Sequence, residues 1–343
     1  MPHLTGLSLR RKWALTIILA VCLPGGCTNL VVPDSPGPDT MADFETAWQT
    51  VKRVYPYFEF KHINWDSIHS VYYPRAVAAQ GDEITGVLFS MLAELRDGHV
   101  SLETRGGAWM TTYHPPRAER DRYLYSPEAV RNYFAGELRL AGDQRVEYEI
   151  LPGNIGYVYV ATLSKDEPVL DGFDEALAYL KATRGLILDV RHNGGGTDYN
   201  SFGIIGRLIA APIDGLPFKS PDGTLHQGYP IAPRGPFQYT KPVVLLIDGV
   251  CFSSCEDFAE MVKHVPTVIA LGDTTAGGSG APFPFSLPSG RRINVSTQYF
   301  PRYDGQPIEW NGVLPDIRVV NSEIEIRSGR DRQLEAAIAQ LGG

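Results

Sequence analysis

The chain has 343 residues, 43% of them hydrophobic and 20% charged, which is enough apolar material for a sizeable core and excludes wholesale disorder. Its 39 acidic residues outnumber 31 Lys and Arg residues, and the net charge of −8 does not favour nucleic acid or an anionic membrane surface as a partner. The sequence contains no internal repeat and no zinc-type spacing of Cys and His, so we expect neither a metal nor a cofactor.

The first 27 residues predict an export signal. A basic stretch at 10–12 precedes an eleven-residue apolar run, Trp13–Leu23, which is too short to span a bilayer comfortably. The small residues that follow end at Cys27, and this resembles the lipobox of bacterial lipoproteins, although Pro24 stands where that motif usually has Leu. We expect an exported protein of the cell envelope, periplasmic or anchored through a lipid on Cys27. A plain signal peptide and a short uncleaved anchor are the alternatives.

A Pro-rich linker at 28–39 separates this signal from the first predicted domain. Apolar residues then recur at helical spacing, which predicts a small helical N-terminal domain over residues 40–97. The predicted helices of this domain begin at Thr40, Trp65 and Asp82. The pair Asp97–Gly98 breaks the third helix.

Residues 98–343 predict an α/β core domain. Short apolar strands alternate with helices, a pattern typical of a mostly parallel sheet. The predicted strands are Ile155–Leu163, Gly185–Val190, Pro242–Ile247, Thr267–Gly272 and Arg292–Phe300. The predicted helices are Val169–Thr183, Ser201–Ala211 and Cys255–Lys263. Residues 105–150 are predicted as strands and loops, with alternation at Gly136–Leu140 and Arg145–Ile150.

Two of these strands end in segments that suit a ligand site, since ligands bind beyond the carboxyl ends of parallel strands. Residues 194–196 form a glycine triplet, which allows a sharp turn and presents backbone N–H groups. Ser253 follows another strand at the start of a helix, where free N–H groups stabilise negative charge. Taken alone, the triplet is as well explained by an ordinary loop, and the serine by a helix cap.

Together, several segments in order resemble the tail-specific, or C-terminal processing, serine peptidase family. Residues 186–196 are similar to its Asp-x-Arg-x-Asn-x-Gly-Gly signature, and 253–256 to its Ser-Ala-Ser-Glu element. Residues 272–277 match Gly-x-x-Thr-x-Gly, and 309–316 match Glu-x-x-Gly-Val-x-Pro-Asp. The resemblance spans about residues 40–320. It implies a ClpP/crotonase-like fold, a peptide or protein substrate, and Ser253 as the nucleophile.

The chain departs from one branch of that family. The Ser/Lys branch has a lysine directly after the Thr-x-Gly element, where this chain has Gly278. The branch that includes the tricorn-protease core and retinoid-binding modules takes its base from an upstream histidine, and residues 95–100 around His99 are similar to that element. About fifty residues separate His99 from Gly153, so the PDZ domain that the family often carries is not expected.

The resemblance implies acyl transfer in which His99 takes the proton of Ser253. Backbone N–H groups of Gly194 or Gly195, with that of Ser254, would hold the oxyanion.

Glu309 would orient or charge-stabilise His99. In the tricorn branch a serine just before the histidine relays this contact, and here that residue is Gly98. Asp97, Ser101 or a direct contact with Glu309 could replace the relay.

Five further residues have structural explanations that we favour. His192, beside the glycine loop, is a competing base but is expected to be a loop residue. Asp189 and Arg191 are expected to brace that loop as a buried ion pair. Cys251 and Cys255 are four residues apart, and two buried thiols are expected in preference to a disulfide.

Two other functions remain open from the sequence. A non-catalytic module binding a peptide or an apolar ligand on the same fold is suggested by the missing lysine and by Gly98. A crotonase-like acyl-CoA enzyme would share the oxyanion site without needing Ser253.

Overall fold

The computed structural model describes residues 40–166 and 168–342. The predicted export signal, the lipidation candidate Cys27 and the Pro-rich linker lie outside the described residues. Among the helices of the described ranges, none has both the length and the hydropathy needed to cross a membrane.

The helices and strands predicted outside residues 105–150 appear in the predicted order, whereas residues 105–150, predicted as strands and loops, also contain two short helices. The helices of the described chain are α1 (Thr40–Val54), α2 (Trp65–Ala78), α3 (Glu83–Ala93), α4 (Pro116–Asp121), α5 (Pro127–Arg131), α6 (Val169–Leu180), α7 (Asp198–Ile205), α8 (Ser254–Val262), α9 (Glu323–Arg327) and α10 (Arg332–Gln340). The strands are β1 (Ser101–Glu103), β2 (Trp109–Thr111), β3 (Arg139–Ala141), β4 (Val146–Leu151), β5 (Ile155–Val160), β6 (Gly185–Asp189), β7 (Phe218–Lys219), β8 (Leu225–His226), β9 (Val243–Ile247), β10 (Val268–Gly272), β11 (Pro282–Ser286), β12 (Arg292–Ser296) and β13 (Ile317–Arg318).

A mixed, mostly parallel sheet forms the main core. Within the described residues it has seven strands in the order β13-β10-β9-β6-β5-β4-β3. The strands from β13 to β5 are parallel, and β4 and β3 continue the sheet antiparallel. Every residue of β6 and β9 is buried, because helices cover both faces of a parallel sheet. The predicted α/β fold class is confirmed.

The helices α1 to α3 form a second core with a smaller sheet. That sheet has the order β11-β12-β1-β2, so it joins strands from two distant parts of the described chain. Phe44 and Leu88 of the helices share one hydrophobic cluster with Leu102 of β1 and Ile293 of β12. The helical region predicted for residues 40–97 is therefore completed by strands from the later sequence.

One strand is shorter than its alternating pattern predicts. Strand β12 ends at Ser296 rather than at Phe300. The N–H groups of Thr297 and Gln298 both donate to the carbonyl oxygen of Gly280, at 2.8 and 3.0 Å, and this breaks the ladder. The alternation of apolar residues cannot predict that a distant carbonyl will take these N–H groups and end the strand.

Candidate active site

Ser253 lies in a turn between the buried strand β9 and helix α8. Its φ of 60° is in the left-handed region, which is uncommon for a residue with a side chain and is found at functional sites. The backbone is held there because the Ser253 N–H donates to the carbonyl oxygen of Gly278 at 3.0 Å and to Oε2 of Glu256 at 3.2 Å. Ser253 is also the N-cap residue of α8, so the helix cap and the candidate ligand site suggested by the sequence fall on the same residue.

His99 meets Ser253 directly. The histidine precedes β1, and its Nε2 lies 2.9 Å from Oγ of Ser253. Its side chain is only 6% exposed. The ring stacks on that of Phe252, with centroids 4.5 Å apart, which fixes the plane of the imidazole. The structure thus places a base within hydrogen-bond distance of a serine hydroxyl across 154 residues of sequence.

The carboxylate nearest to the other imidazole nitrogen belongs to Asp97. Its Oδ1 is 3.8 Å from Nδ1 of His99 and accepts a hydrogen bond from the His99 backbone N–H at 2.8 Å. Its Oδ2 accepts from the Ser296 hydroxyl at 2.9 Å. Among the described residues, no hydrogen bond or ion pair joins Glu309 to His99, and Oε1 of Glu309 binds Nζ of Lys61 at 2.6 Å. Of the three alternatives that the sequence leaves open for the contact with His99, the geometry favours Asp97.

The surroundings of His99 favour a neutral imidazole. Burial lowers the pKa of His99 below its ordinary value, and the nearby charge of Lys61 lowers it further. The carboxylate of Asp97 acts in the opposite direction and raises that pKa. A neutral imidazole can accept a proton, which is the state that a general base requires.

Lys61 is a site residue that the sequence motifs do not reveal. Its ammonium group is fully buried and donates to the carbonyl oxygens of Leu95 and Arg96, each at 3.0 Å, as well as to Glu309. Those carbonyls belong to the segment that follows α3 and leads into Asp97. Lys61 therefore ties the loop that carries His99 to the segment containing Glu309. It lies between α1 and α2, outside every motif, so only the tertiary structure identifies it.

The glycine loop packs against the serine turn. The Phe252 N–H donates to the carbonyl oxygen of Asn193 at 3.1 Å. A Cβ added at Gly195 would lie 2.6 Å from the carbonyl oxygen of Phe252 and 2.9 Å from the Ser254 nitrogen, so this approach requires glycine.

The three candidate oxyanion donors differ in availability. The Gly195 N–H already donates to Oδ1 of Asn193 at 2.8 Å, so the structure does not favour Gly195 as a donor. In the described chain, no hydrogen-bond partner is found for the N–H groups of Gly194 and Ser254. Ser254 is also the first residue of α8, where the helix dipole favours negative charge.

Glu256 connects two of the sequence motifs. Its side chain is fully buried, and Oε1 accepts from the Thr275 hydroxyl at 2.6 Å and from the Gly277 N–H at 2.8 Å. Oε2 accepts from the Gly278 N–H at 2.7 Å and from the Ser253 N–H. These bonds explain physically why the Ser-x-x-Glu and Thr-x-Gly elements occur in one sequence.

Phe252 accounts for both departures from the family pattern. Its ring lies between Gly98 and Gly278, where an added Cβ would approach ring carbons to 2.9 Å and 2.0 Å respectively. The ring therefore fills the space that a side chain at Gly278 would need, and it leaves little room for a serine at Gly98. The same ring stacks on His99, so the two glycines make room for an aromatic support of the base.

Cys251 and Cys255 form a disulfide, so the expectation of two buried thiols is wrong. Cys251 precedes the turn and does not belong to α8, which places the two Cα atoms 5.6 Å apart, within the range for a disulfide. The bridge encloses Phe252, Ser253 and Ser254.

The residues expected to be structural take such positions. Arg191 forms fully buried ion pairs with Asp189 at 2.6 Å and with Asp331 at 2.7 Å, which confirms the predicted brace. Nε2 of His192 lies 3.4 Å from Oδ2 of Asp248. The histidine that meets Ser253 is His99 and not His192.

Two family models match the chain. The model of peptidase family S41 matches residues 154–319, a range that contains the glycine loop, Ser253 and Glu309. The model of the tricorn protease C1 domain matches residues 36–93. His99 lies between the two matched ranges.

Solved structures are similar to most of the chain. A candidate peptidase from Parabacteroides merdae is 29% identical, with 88% of this chain and 96% of that chain covered and a TM-score of 0.76. The photosystem II D1 C-terminal processing protease is 18% identical, with 82% and 93% covered and a TM-score of 0.55. A lipoprotein from Streptococcus agalactiae is 16% identical, with 89% and 96% covered and a TM-score of 0.61.

Proposed function

This chain belongs to peptidase family S41 and is a serine peptidase, and from that premise we propose that it cleaves peptide bonds through an acyl-enzyme on Ser253 with His99 as the general base. The observation that carries the proposal is the 2.9 Å distance between Nε2 of His99 and Oγ of Ser253. The pair is partly buried beside a helix N-terminus, where a negative charge on the substrate can be stabilised.

In the proposed reaction, Oγ of Ser253 attacks the peptide carbonyl carbon while Nε2 of His99 takes the hydroxyl proton. The carbon–nitrogen bond of the tetrahedral intermediate then breaks, and His99 returns the proton to the leaving amine. Water attacks the resulting ester in the same way, with His99 again taking and returning a proton. The products are two peptides and the regenerated Ser253 hydroxyl.

The proposed oxyanion donors are the backbone N–H groups of Gly194 and Ser254. Each lies next to the Ser253 turn, and neither has a hydrogen-bond partner within the described part of the chain. Donors of this kind stabilise charge as it develops, and losing one costs about 10²- to 10³-fold in kcat.

We assign the role of the third group to Asp97 and a positioning role to Glu309. Asp97 faces Nδ1 of His99 at 3.8 Å, a distance that a bound substrate can shorten, since catalytic hydrogen bonds are often long in free enzymes. Glu309 acts through Lys61, which holds the two carbonyl groups before Asp97.

The proposal is tested by steady-state hydrolysis of a fluorogenic peptide library. Ser253→Ala and His99→Ala are each expected to lower kcat by about 10⁴-fold or more, with circular dichroism and thermal unfolding close to those of the wild type. Ser201→Ala is the control, because that hydroxyl is buried and contacts only backbone carbonyls. Unchanged hydrolysis by the Ser253→Ala variant would overturn the assignment.

We further propose that the protein is exported and anchored through a lipid on Cys27. The basic and apolar segments before Cys27 support export, and the Cys251–Cys255 disulfide suits an oxidising compartment. Metabolic labelling with a fatty-acid analogue should mark the wild type and not a Cys27→Ala variant. Equal labelling of both proteins would contradict the anchor.

A further inference from the structure

A cavity of about 440 Å³ opens beside Ser253. Its walls include Gly196 of the glycine loop, Ser254 of α8 and Pro282 at the start of β11. His99 is not among the lining residues. Because His99 would return the proton to the leaving amine, the leaving group lies on the side of His99, and this cavity lies on the acyl side of the cleaved bond.

The cavity continues into a smaller one of about 190 Å³. Asp198, Asp257, Gln298 and Phe300 line both cavities, so they form the passage between them. The deeper walls are mainly apolar and aromatic, with Phe202 among them.

Two carboxyl groups lie together in this passage. Among the described residues that line the two cavities, the charged ones are Asp198 and Asp257, and no Lys or Arg is present. Asp257 is 8% exposed, and its Oδ1 accepts from the Ser279 hydroxyl at 2.7 Å. Neither carboxylate forms an ion pair with another described residue. Asp198 is exposed, but Asp257 is buried, and buried carboxylates usually have such a partner.

A cation entering the passage would relieve this electrostatic cost. Burial raises the pKa of Asp257 well above its ordinary value, and the negative charge of Asp198 raises it further. Asp257 lies one helical turn after Ser253 on α8, so its carboxylate is fixed at a set depth from the reacting serine.

We propose that this passage is the specificity pocket for a Lys or Arg side chain on the acyl side of the cleaved peptide bond. The inference rests on the serine peptidase mechanism proposed above. Asp257 would bind the ammonium or guanidinium group at depth, and Asp198 would bind it at the rim. The methylene stem packs against Phe300, as long cationic side chains commonly do on apolar and aromatic surfaces.

The test compares N-acetylated, internally quenched peptides that differ only in the residue before the cleaved bond. Arginine and lysine are to be compared with citrulline, norleucine and glutamate. We expect kcat/KM to be at least about 100-fold higher for arginine or lysine than for citrulline, because citrulline keeps the shape of arginine but has a neutral urea in place of the guanidinium group. Asp257→Asn should reduce this ratio to below about 10-fold, and Asp198→Asn should reduce it by a smaller factor.

Glu260→Gln is the matched control. Glu260 is a buried carboxylate on the same helix but does not line either cavity, and the ratio should be unchanged in this variant. A purely structural role for Asp257, through its bond to Ser279, would lower stability in Asp257→Asn without changing the ratio, and this result would overturn the inference.

The outcomes separate the pocket from the mechanism. Ser253-dependent cleavage with no preference for arginine over citrulline would overturn the pocket and leave the mechanism standing. Cleavage only of peptides with a free N-terminal ammonium group would also overturn it, because the charge would then belong to the main chain. If turnover is too slow to measure, the affinities of fluorescently labelled arginine and citrulline peptides for the Ser253→Ala protein can be compared by fluorescence anisotropy. Equal affinities for these two peptides would overturn the pocket.

Discussion

In the proposed mechanism, two carboxylates near His99 share the work that a single catalytic acid usually does. Asp97 holds the backbone of the histidine and faces Nδ1 of its ring, whereas Glu309 is paired with Lys61 at 2.6 Å. A carboxylate facing Nδ1 stabilises the imidazolium that forms during the reaction, but a carboxylate bound to a lysine does so only weakly. The two side chains should therefore respond differently to neutralisation.

The Asp97→Asn variant should shift the pH dependence of activity. The pKa of His99 is already lowered by burial and by Lys61, so the acid limb of kcat/KM should lie below pH 6.5 in the wild type. Asp97 raises this pKa, and its neutralisation should therefore move the limb to lower pH while kcat falls by about 10²- to 10⁴-fold.

Glu309→Gln provides the comparison, since Glu309 is not among the charges that shift His99. Its limb should stay at the wild-type pH. If the acid limb of kcat/KM moves in Glu309→Gln and stays fixed in Asp97→Asn, Glu309 and not Asp97 is the carboxylate that stabilises protonated His99.

At the level of secondary-structure elements, the site depends on turns at the carboxyl edge of the large sheet. Strand β6 leads into the glycine loop and β9 into the Ser253 turn, and the parallel register of β6 with β9 places these ends together. Phe252 and Glu256 then join the turn to the loop that contains Gly278. The position of Ser253 is therefore set mainly by backbone contacts, and these contacts leave little room for larger side chains around the turn.

Gly278→Ala should test this packing. The added methyl group would lie 2.0 Å from a ring carbon of Phe252, so the ring must move away from His99. We expect kcat to fall by about 10²-fold, because a small misplacement of a catalytic group has an effect of this size. The double variant Gly278→Ala/Phe252→Leu should recover part of the loss.

Gly86→Ala in α3 is the control for this substitution, since no atom lies within 4 Å of the added methyl group. It should leave kcat unchanged. Full activity in the Gly278→Ala variant would mean that the ring does not support the base.

At the level of the whole molecule, the N-terminal helices α1 to α3 pack with strands β11 and β12 into one folded unit. Arg291, which precedes β12, is buried and binds Asp43 of α1 at 3.3 Å and Thr85 of α3 at 3.0 Å. The N–H of Ser289 donates to the same aspartate at 2.8 Å. These bonds attach the turn between β11 and β12 to the helices, and β12 in turn pairs with β1, which follows His99.

Arg291→Met should lower the free energy of unfolding by about 3–5 kcal/mol, because it leaves the buried carboxylate of Asp43 without its partner. Urea unfolding followed by tryptophan fluorescence measures this change. Arg327→Met removes an exposed ion pair with Glu323 and should cost less than about 1 kcal/mol. Equal effects of the two substitutions would show that the buried pair does not join these elements.

The sequence predicted most of the fold and the proximity of Ser253 and His99, but not the residues that support the two side chains. Periodic and apolar runs identified the main helices and buried strands, because those signals are local. The family resemblance brought Ser253 and His99 together, and their hydrogen-bond distance agrees with it. The pairing of Lys61 with Glu309 joins residues that are 248 positions apart, and the sequence carries no local pattern that predicts such a contact.

The central claim is that His99 activates Ser253, and the rate of covalent modification by a fluorophosphonate tests it most directly. Intact-mass measurement over time, followed by peptide mapping, gives both the rate and the modified residue. We predict a single adduct on Ser253, absent from Ser253→Ala and formed at least about 10³-fold more slowly in His99→Ala. An adduct on another residue, or an equal rate without His99, would contradict the account.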